Sequence, residues 1–296
     1  MGNSKELLKL YTKEVDQVIA GYLPDEEGQQ KNLAAAMNYS MKAGGKRLRP
    51  LFMREVYRLL GGCGREVEPF MAAIEMIHTF SLVHDDLPCI DNDRLRRGRD
   101  TTWVKFGYHM AVLAGDGLYG YAFETAARAL AFTKDAGAVG RCIGLLAKKS
   151  GISGMIGGET ADVELTGKPM TEEQLDYVYR LKTGALLEAS MMIGAILAGG
   201  DEKQVQTVEH MASCVGMAFQ IQDDILDLTS SQEVLGKPVL SDEKNHKTTY
   251  VTLYGMEQAV EMVDSLSKEA VKALESLPGE HGFLRDLIMM LVTRER

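Results

Sequence analysis

The sequence predicts an all-α fold, a single large helical bundle, and three observations carry that prediction. Apolar residues recur at helical spacing and never settle into a period of two. In EPFMAAIEMIHTFSLVHD the residues Phe70, Ala73, Ile74, Ile77, Ser81 and His84 follow such a repeat. The 296 residues include 17 Met and only 7 Pro, so long helices are sterically open. The breaks between periodic runs are short, with no Gly/Ser/Pro linker and no shift of composition. One domain over 1–296, built from about ten or more helices, is therefore expected.

Taken in order, the breaks fall at 21–30, 61–66, 92–100, 151–154, 166–169, 230–247 and 278–282. The helix containing Phe70 to His84 should end near Asp86, because Pro88 cannot occupy a helix interior. The run from Glu172 to Ala198 reads as one helix. Thr171 is a fair N-cap ahead of Glu172 and Glu173, and Gly199-Gly200 a fair C-terminal stop.

Composition narrows the function. At 45% hydrophobic and 25% charged the chain is globular, and its formal net charge is -9. Nucleic-acid binding is not expected, since its usual footprint is a basic excess. No apolar run reaches the roughly 18 residues of a membrane span. The start, MGNSKELLKLYTKEV, is amphipathic and lacks the apolar core of a secretory signal. Glu6 stands where a myristoylation signal wants Ser or Thr. Cys63, Cys89, Cys142 and Cys214 form no CxxC pair and match no zinc spacing, so they read as reduced thiols. A cytoplasmic location is expected.

Three local constellations point to chemistry. In HDDLPCIDNDRLRRGRD, Asp85 and Asp86 sit at a helix C-terminus, the wrong end of the helix dipole for anions unless a cation binds there. Asp91 follows in the loop and could fold back onto the same ion. In FQIQDDILD, Asp223, Asp224 and Asp227 lie within apolar sequence, and Asp223 and Asp227 are about 40° apart on one helix face. A shared cation would relieve their repulsion, and carboxylate oxygens suit Mg2+. In AGGKRLRP, a flexible Gly44-Gly45 turn precedes Lys46, Arg47 and Arg49. It reads as a diphosphate pocket or, with about equal weight, as a basic loop before a helix.

These stretches, with LRRG at 95–98, LKTG at 181–184, LGKPV at 235–239 and DEKNHKTTY at 242–250, resemble in order the motifs of the trans-isoprenyl diphosphate synthases. The resemblance runs from near residue 30 to the C-terminus and is nearer to bacterial farnesyl diphosphate synthases. It implies a helical bundle around a deep central cavity, usually a homodimer. It implies that Asp85, Asp86, Asp91, Asp223, Asp224 and Asp227 hold Mg2+ on an allylic diphosphate, with Asp85, Asp91 and Asp223 as direct ligands. It further implies that Arg96, Lys182 and Lys237, helped by Lys247, contact that diphosphate. Lys46, Arg49, His78 and Arg97 would hold isopentenyl diphosphate, and Thr183 and Gln220 would line the reacting end.

The expected activity is head-to-tail condensation of isopentenyl diphosphate with dimethylallyl or geranyl diphosphate. The resemblance implies that Phe80 and Ser81, five and four residues before Asp85, set the cavity floor. Phe80 lies roughly 7 Å below Asp85 along the helix, which favours a fifteen-carbon product. It equally reads as core packing, because five residues turn about 140° from Asp85. A geranylgeranyl synthase and, further off, a terpene cyclase are the alternatives. Arg94 replaces a common acidic residue, Glu159 a common Gln, and Asp162 reads as a supporting residue. His84, His109, His210, His246 and His281 read as ordinary core or surface histidines.

Overall fold

The computed structural model describes residues 2–229 and 248–292. The helical elements are α1 (Gly2–Ala20), α2 (Lys31–Met41), α3 (Leu48–Leu59), α4 (Val67–Asp85), α5 (Thr102–Phe106), α6 (Tyr108–Ala127), a 3-10 turn (Arg128–Ala131), α7 (Ala136–Ser150), α8 (Met155–Leu165), α9 (Glu172–Val178), a π-helical turn (Tyr179–Gly184), α10 (Ala185–Leu197), α11 (Glu202–Thr229), α12 (Tyr250–Tyr254), α13 (Met256–Glu275) and α14 (Gly282–Val292). The only strands among the described residues are β1 (Leu95–Arg96) and β2 (Arg99–Asp100), an antiparallel pair. The fold is all-α. No described helix is long and apolar enough to cross a membrane.

The chain divides into two compact units. The first comprises the residues up to Arg54 with Cys63–Ile143, and the second Glu55–Gly62 with the residues from Gly144 onward. In the first, α4 is buried around most of its circumference, which explains its nearly continuous apolar sequence. It packs on α6, whose buried Ala111, Ala114, Gly115, Leu118, Ala122 and Ala126 form a small-residue face at helical spacing. Arg47 and Glu75 form a buried ion pair at 2.7 Å, with side chains 4% and 3% exposed. Arg47 also donates to Asp16 Oδ1 and to the Met41 carbonyl. These bonds satisfy a charge that would otherwise be costly to bury.

In the second unit, α11 packs against α10, α13 and the π turn. The amphipathic α13 turns Ala259, Val263, Ser267, Ala270 and Leu274 inward, three or four residues apart. Val178, Tyr179, Ala218, Ile221, Ile225, Ala259 and Val263 share one apolar core. Thr171 caps α9 with a reciprocal box, accepting from Gln174 N and donating its own N–H to Gln174 Oε1. Gly199, with φ +81, follows the end of α10. The single helix expected from Glu172 to Ala198 is instead two helices joined by the π turn. An extra residue per turn there pushes the LKTG segment out of the α register.

Candidate active site

In the first unit, α4 ends at Asp85, and Asp86 occupies the cap position. The Asp91 N–H then donates to the Asp85 carbonyl at 2.9 Å. Pro88 stops the helix, and this bond folds the loop so that Asp85 and Asp91 leave one turn of chain. The Asp93 carbonyl accepts from Thr101 Oγ1 and from Trp103 Nε1, at 2.8 and 2.7 Å. Arg94 lies over the Trp103 ring. Trp103, which has no role in the sequence motifs, therefore pins the aspartate loop.

Asp86 does not lack a cation, although no basic residue lies four positions away. Arg96, returned by the β1–β2 hairpin, holds its Oδ1 through Nε at 2.7 Å and Nη2 at 2.6 Å. Burial pushes the Asp86 carboxyl up, and Arg96 pulls it back. The Asp86 side chain is 4% exposed.

A second cluster in the same unit is basic. Arg97, with φ +53, donates to the Gly44 carbonyl. Gly45 has φ +138, and a Cβ there would lie 2.8 Å from Arg97 Nη1. The double glycine thus makes room for Arg97 as well as shaping a turn. Arg49 Nε is buried without a hydrogen-bond partner, and burial lowers the Arg49 pKa. Burial first, then the charges of Arg49 and Arg97, push His78 well below its ordinary range, so it is neutral at pH 7. Lys46 is exposed beside Arg47. A buried guanidinium nitrogen without an acceptor, beside a neutral histidine and a second arginine, fits an incoming polyanion. Arg47 itself is committed to Glu75 and Asp16.

Phe80 is 8% exposed, packs edge-on against His84 and meets Tyr119 of α6 at a tilt, with ring centroids 4.9 Å apart. Tyr119 in turn meets Phe123. Ser81 Oγ donates to the His78 carbonyl. The aromatic layer behind Phe80 was hidden in the sequence because it belongs to another helix.

In the second unit, Thr183 Oγ1 donates to Gln220 Oε1 at 2.9 Å, joining the π turn to α11. Lys182 is gripped by Asp162 at 2.6 Å and Glu159 at 2.7 Å. Burial works against its charge, yet the two carboxylates hold its pKa above the usual lysine value. Glu159 is thus an ion-pair partner of Lys182. Gly158 permits this grip, since a Cβ there would collide with the Lys182 backbone N. On α11, Asp223 is half-buried and Asp227 buried. Buried Asp224 accepts from Tyr179 Oη at 2.5 Å and from the Tyr250 N–H at 2.8 Å. Lys237 and Lys247 lie outside the described residues.

The donors in both aspartate sets are hard carboxylate oxygens, which fit Mg2+ and fit soft metals poorly. Carboxylate sets of this kind, and a basic cluster such as that of Arg49 and Arg97, are residue types suited to Mg2+ and to phosphate oxygens. The chain belongs to the polyprenyl synthetase family, whose profile matches residues 30–277, and it is a trans-prenyltransferase. A farnesyl diphosphate synthase of Geobacillus stearothermophilus is 43% identical over 257 residues, covering 87% of this chain and 86% of that protein. A chloroplastic geranylgeranyl pyrophosphate synthase of Capsicum annuum is 44% identical over 241 residues, covering 81% of this chain and 65% of that protein. The crystal structure of an FPP/GFPP synthase from Zymomonas mobilis aligns with TM-score 0.87 and 32% identity, covering 98% of this chain and 99% of that one.

Proposed function

We propose that the protein condenses isopentenyl diphosphate head-to-tail with dimethylallyl and geranyl diphosphate and releases farnesyl diphosphate. The observation that carries this reading is the orphaned Arg49 Nε beside neutral His78 and Arg97. It supports a second diphosphate pocket distinct from the aspartate loop. A terpene cyclase, which ionises one diphosphate substrate, has no use for that pocket.

Asp85, Asp91 and Asp223 are the proposed direct Mg2+ ligands, and Asp227 is assigned to the same metal-binding set. Asp86 and Asp224 are assigned to positioning, because Arg96 holds one and Tyr179 and Tyr250 hold the other. Bound Mg2+ would neutralise the allylic diphosphate and make it a competent leaving group. Arg96 and Lys182, with Lys237 and Lys247, are assigned to that same diphosphate. The allylic C–O bond breaks with its electron pair going to the diphosphate. The isopentenyl double bond attacks the cation, and a proton then leaves to the released diphosphate. Thr183 and Gln220 aim oxygen dipoles at the cation, and apolar walls keep water from it. Lys46, Arg49, His78 and Arg97 orient the isopentenyl diphosphate.

Phe80, supported from behind by Tyr119, is the proposed floor, with Ser81 beside it. The second reading is a geranylgeranyl synthase, favoured by relatives of that name at similar identity. A single 1–296 synthase domain, acting as a cytoplasmic homodimer, completes the proposal. The test is a chain-length-resolved product assay with isopentenyl diphosphate, Mg2+ and each primer. Farnesyl product with no extension of added farnesyl diphosphate supports the reading, and Phe80→Ala should then lengthen the product. Geranylgeranyl product from the unaltered protein rejects the Phe80 floor. Absence of elongation with every primer rejects the transferase assignment itself.

A further inference from the structure

Away from both aspartate sets, α11 and α13 bring together three side chains of different chemistry. His210 and Cys214 stand four residues apart on one face of α11, and Glu269 faces them from α13. His210 Nε2 lies 3.0 Å from Glu269 Oε1 and 3.9 Å from Cys214 Sγ. One ligand atom from each residue lies within 4.8 Å of the other two. An ion pair between α11 and α13 would need only His210 and Glu269. It would not need a thiol turned to the same point.

We propose that His210 Nε2, Cys214 Sγ and Glu269 Oε1 form a binding site for a borderline divalent cation, with Zn2+ the best match. Bond lengths of about 2.3 Å to sulfur, about 2.0 to 2.1 Å to imidazole and about 2.1 Å to carboxylate require tetrahedral edges of about 3.6 Å for S–N and about 3.4 Å for N–O. The observed edges of 3.9 and 3.0 Å are each within half an ångström of these. A mixed nitrogen, sulfur and oxygen set is wrong for Mg2+ and right for Zn2+. His210 and Glu269 have side chains 54% and 52% exposed, which provides an entry path and an open fourth position for water. Cys214 is buried beneath them. Cys214 is about 13 Å along α11 from Asp223, so this site is separate from the proposed Mg2+ ligands. Its occupation would cross-link α11 to α13 and raise the melting temperature.

The test is a titration of the full chain with Co2+ in excess Mg2+, read by optical absorption, followed by competition with Zn2+. One Co2+ per chain should give a thiolate-to-metal charge-transfer band that Zn2+ abolishes. Carboxylate-bound Co2+ gives no such band. The band should vanish in Cys214→Ser and persist when exposed Cys63 and Cys89 are both replaced by serine. His210→Ala, an exposed change that keeps the fold testable if Cys214→Ser does not, should weaken binding more than about 100-fold, beyond the loss seen for outer-shell partners. No band, or a band that survives Cys214→Ser or His210→Ala at unchanged affinity, overturns the site.

Discussion

Asp86 and Asp224 hold the same place in their motifs, the second of an adjacent aspartate pair, and the two units satisfy them by different means. Asp86 is clasped by the Arg96 guanidinium, brought back by a hairpin. Asp224 accepts from the Tyr179 phenol and from the Tyr250 backbone. Arg96 places a charge on one carboxylate; a phenol and a backbone N–H orient the other. The two aspartate runs, DDxxxxD at 85–91 and DDxxD at 223–227, therefore carry different supports for one type of oxygen donor. The basic cluster differs again: Arg49 is half-buried, and its buried Nε has no acceptor, a cost that an arriving diphosphate would offset.

The largest separation between ligand and support should appear in activity. Asp85→Asn and Asp223→Asn should each lower turnover by about 10²–10³-fold, read by a steady-state product assay. Asp86→Ala leaves Arg96, 30% exposed in its side chain, with the longer 3.8 Å ion pair to Asp93. Solvent screening reduces the cost, and about 2 kcal/mol of stability should be lost, read from urea unfolding. Tyr179→Phe removes one hydrogen bond to Asp224 and should cost about 1–2 kcal/mol by the same measurement. Equal effects of Asp85→Asn and Asp86→Ala on both activity and stability would erase the distinction.

The smallest effect concerns pH. His78 is held neutral in the folded chain, below its unfolded value of about 6.5. As pH falls through about 6.5, the unfolded chain binds that proton first, so stability declines toward the folded pKa. His78→Gln should flatten part of this acid-side decline in a pH series of unfolding midpoints. An unchanged slope would show that His78 titrates normally.

Helical periodicity, the Pro88 stop and the caps at Thr171 and Gly199 made much of the fold legible in the sequence. The π turn was not, because LKTG lies inside a run of good helix formers. Its deviation is tied to the contacts of Lys182 with Glu159 and Asp162 on another helix. The β1–β2 pair was missed because two residues per strand show no period. The aspartate and arginine motifs announced the site's chemistry, yet not its internal economy: Arg96 was readable as a cation, but not as the partner of Asp86. Tyr119 behind Phe80 and Trp103 beneath Asp93 are contacts formed only by folding. The His210–Cys214 spacing was visible, but its third member arrives from a separate helix, so no linear zinc pattern could show it.

The central claim is that the basic pocket and the aspartate loop serve two different diphosphates. Calorimetric titration of isopentenyl diphosphate without Mg2+, into the unaltered chain, Arg49→Gln and Asp85→Asn, tests it most directly. The account predicts binding that Asp85→Asn retains and Arg49→Gln weakens by about tenfold or more, the loss of one charge-assisted contact. Binding lost in Asp85→Asn and unchanged in Arg49→Gln would contradict it.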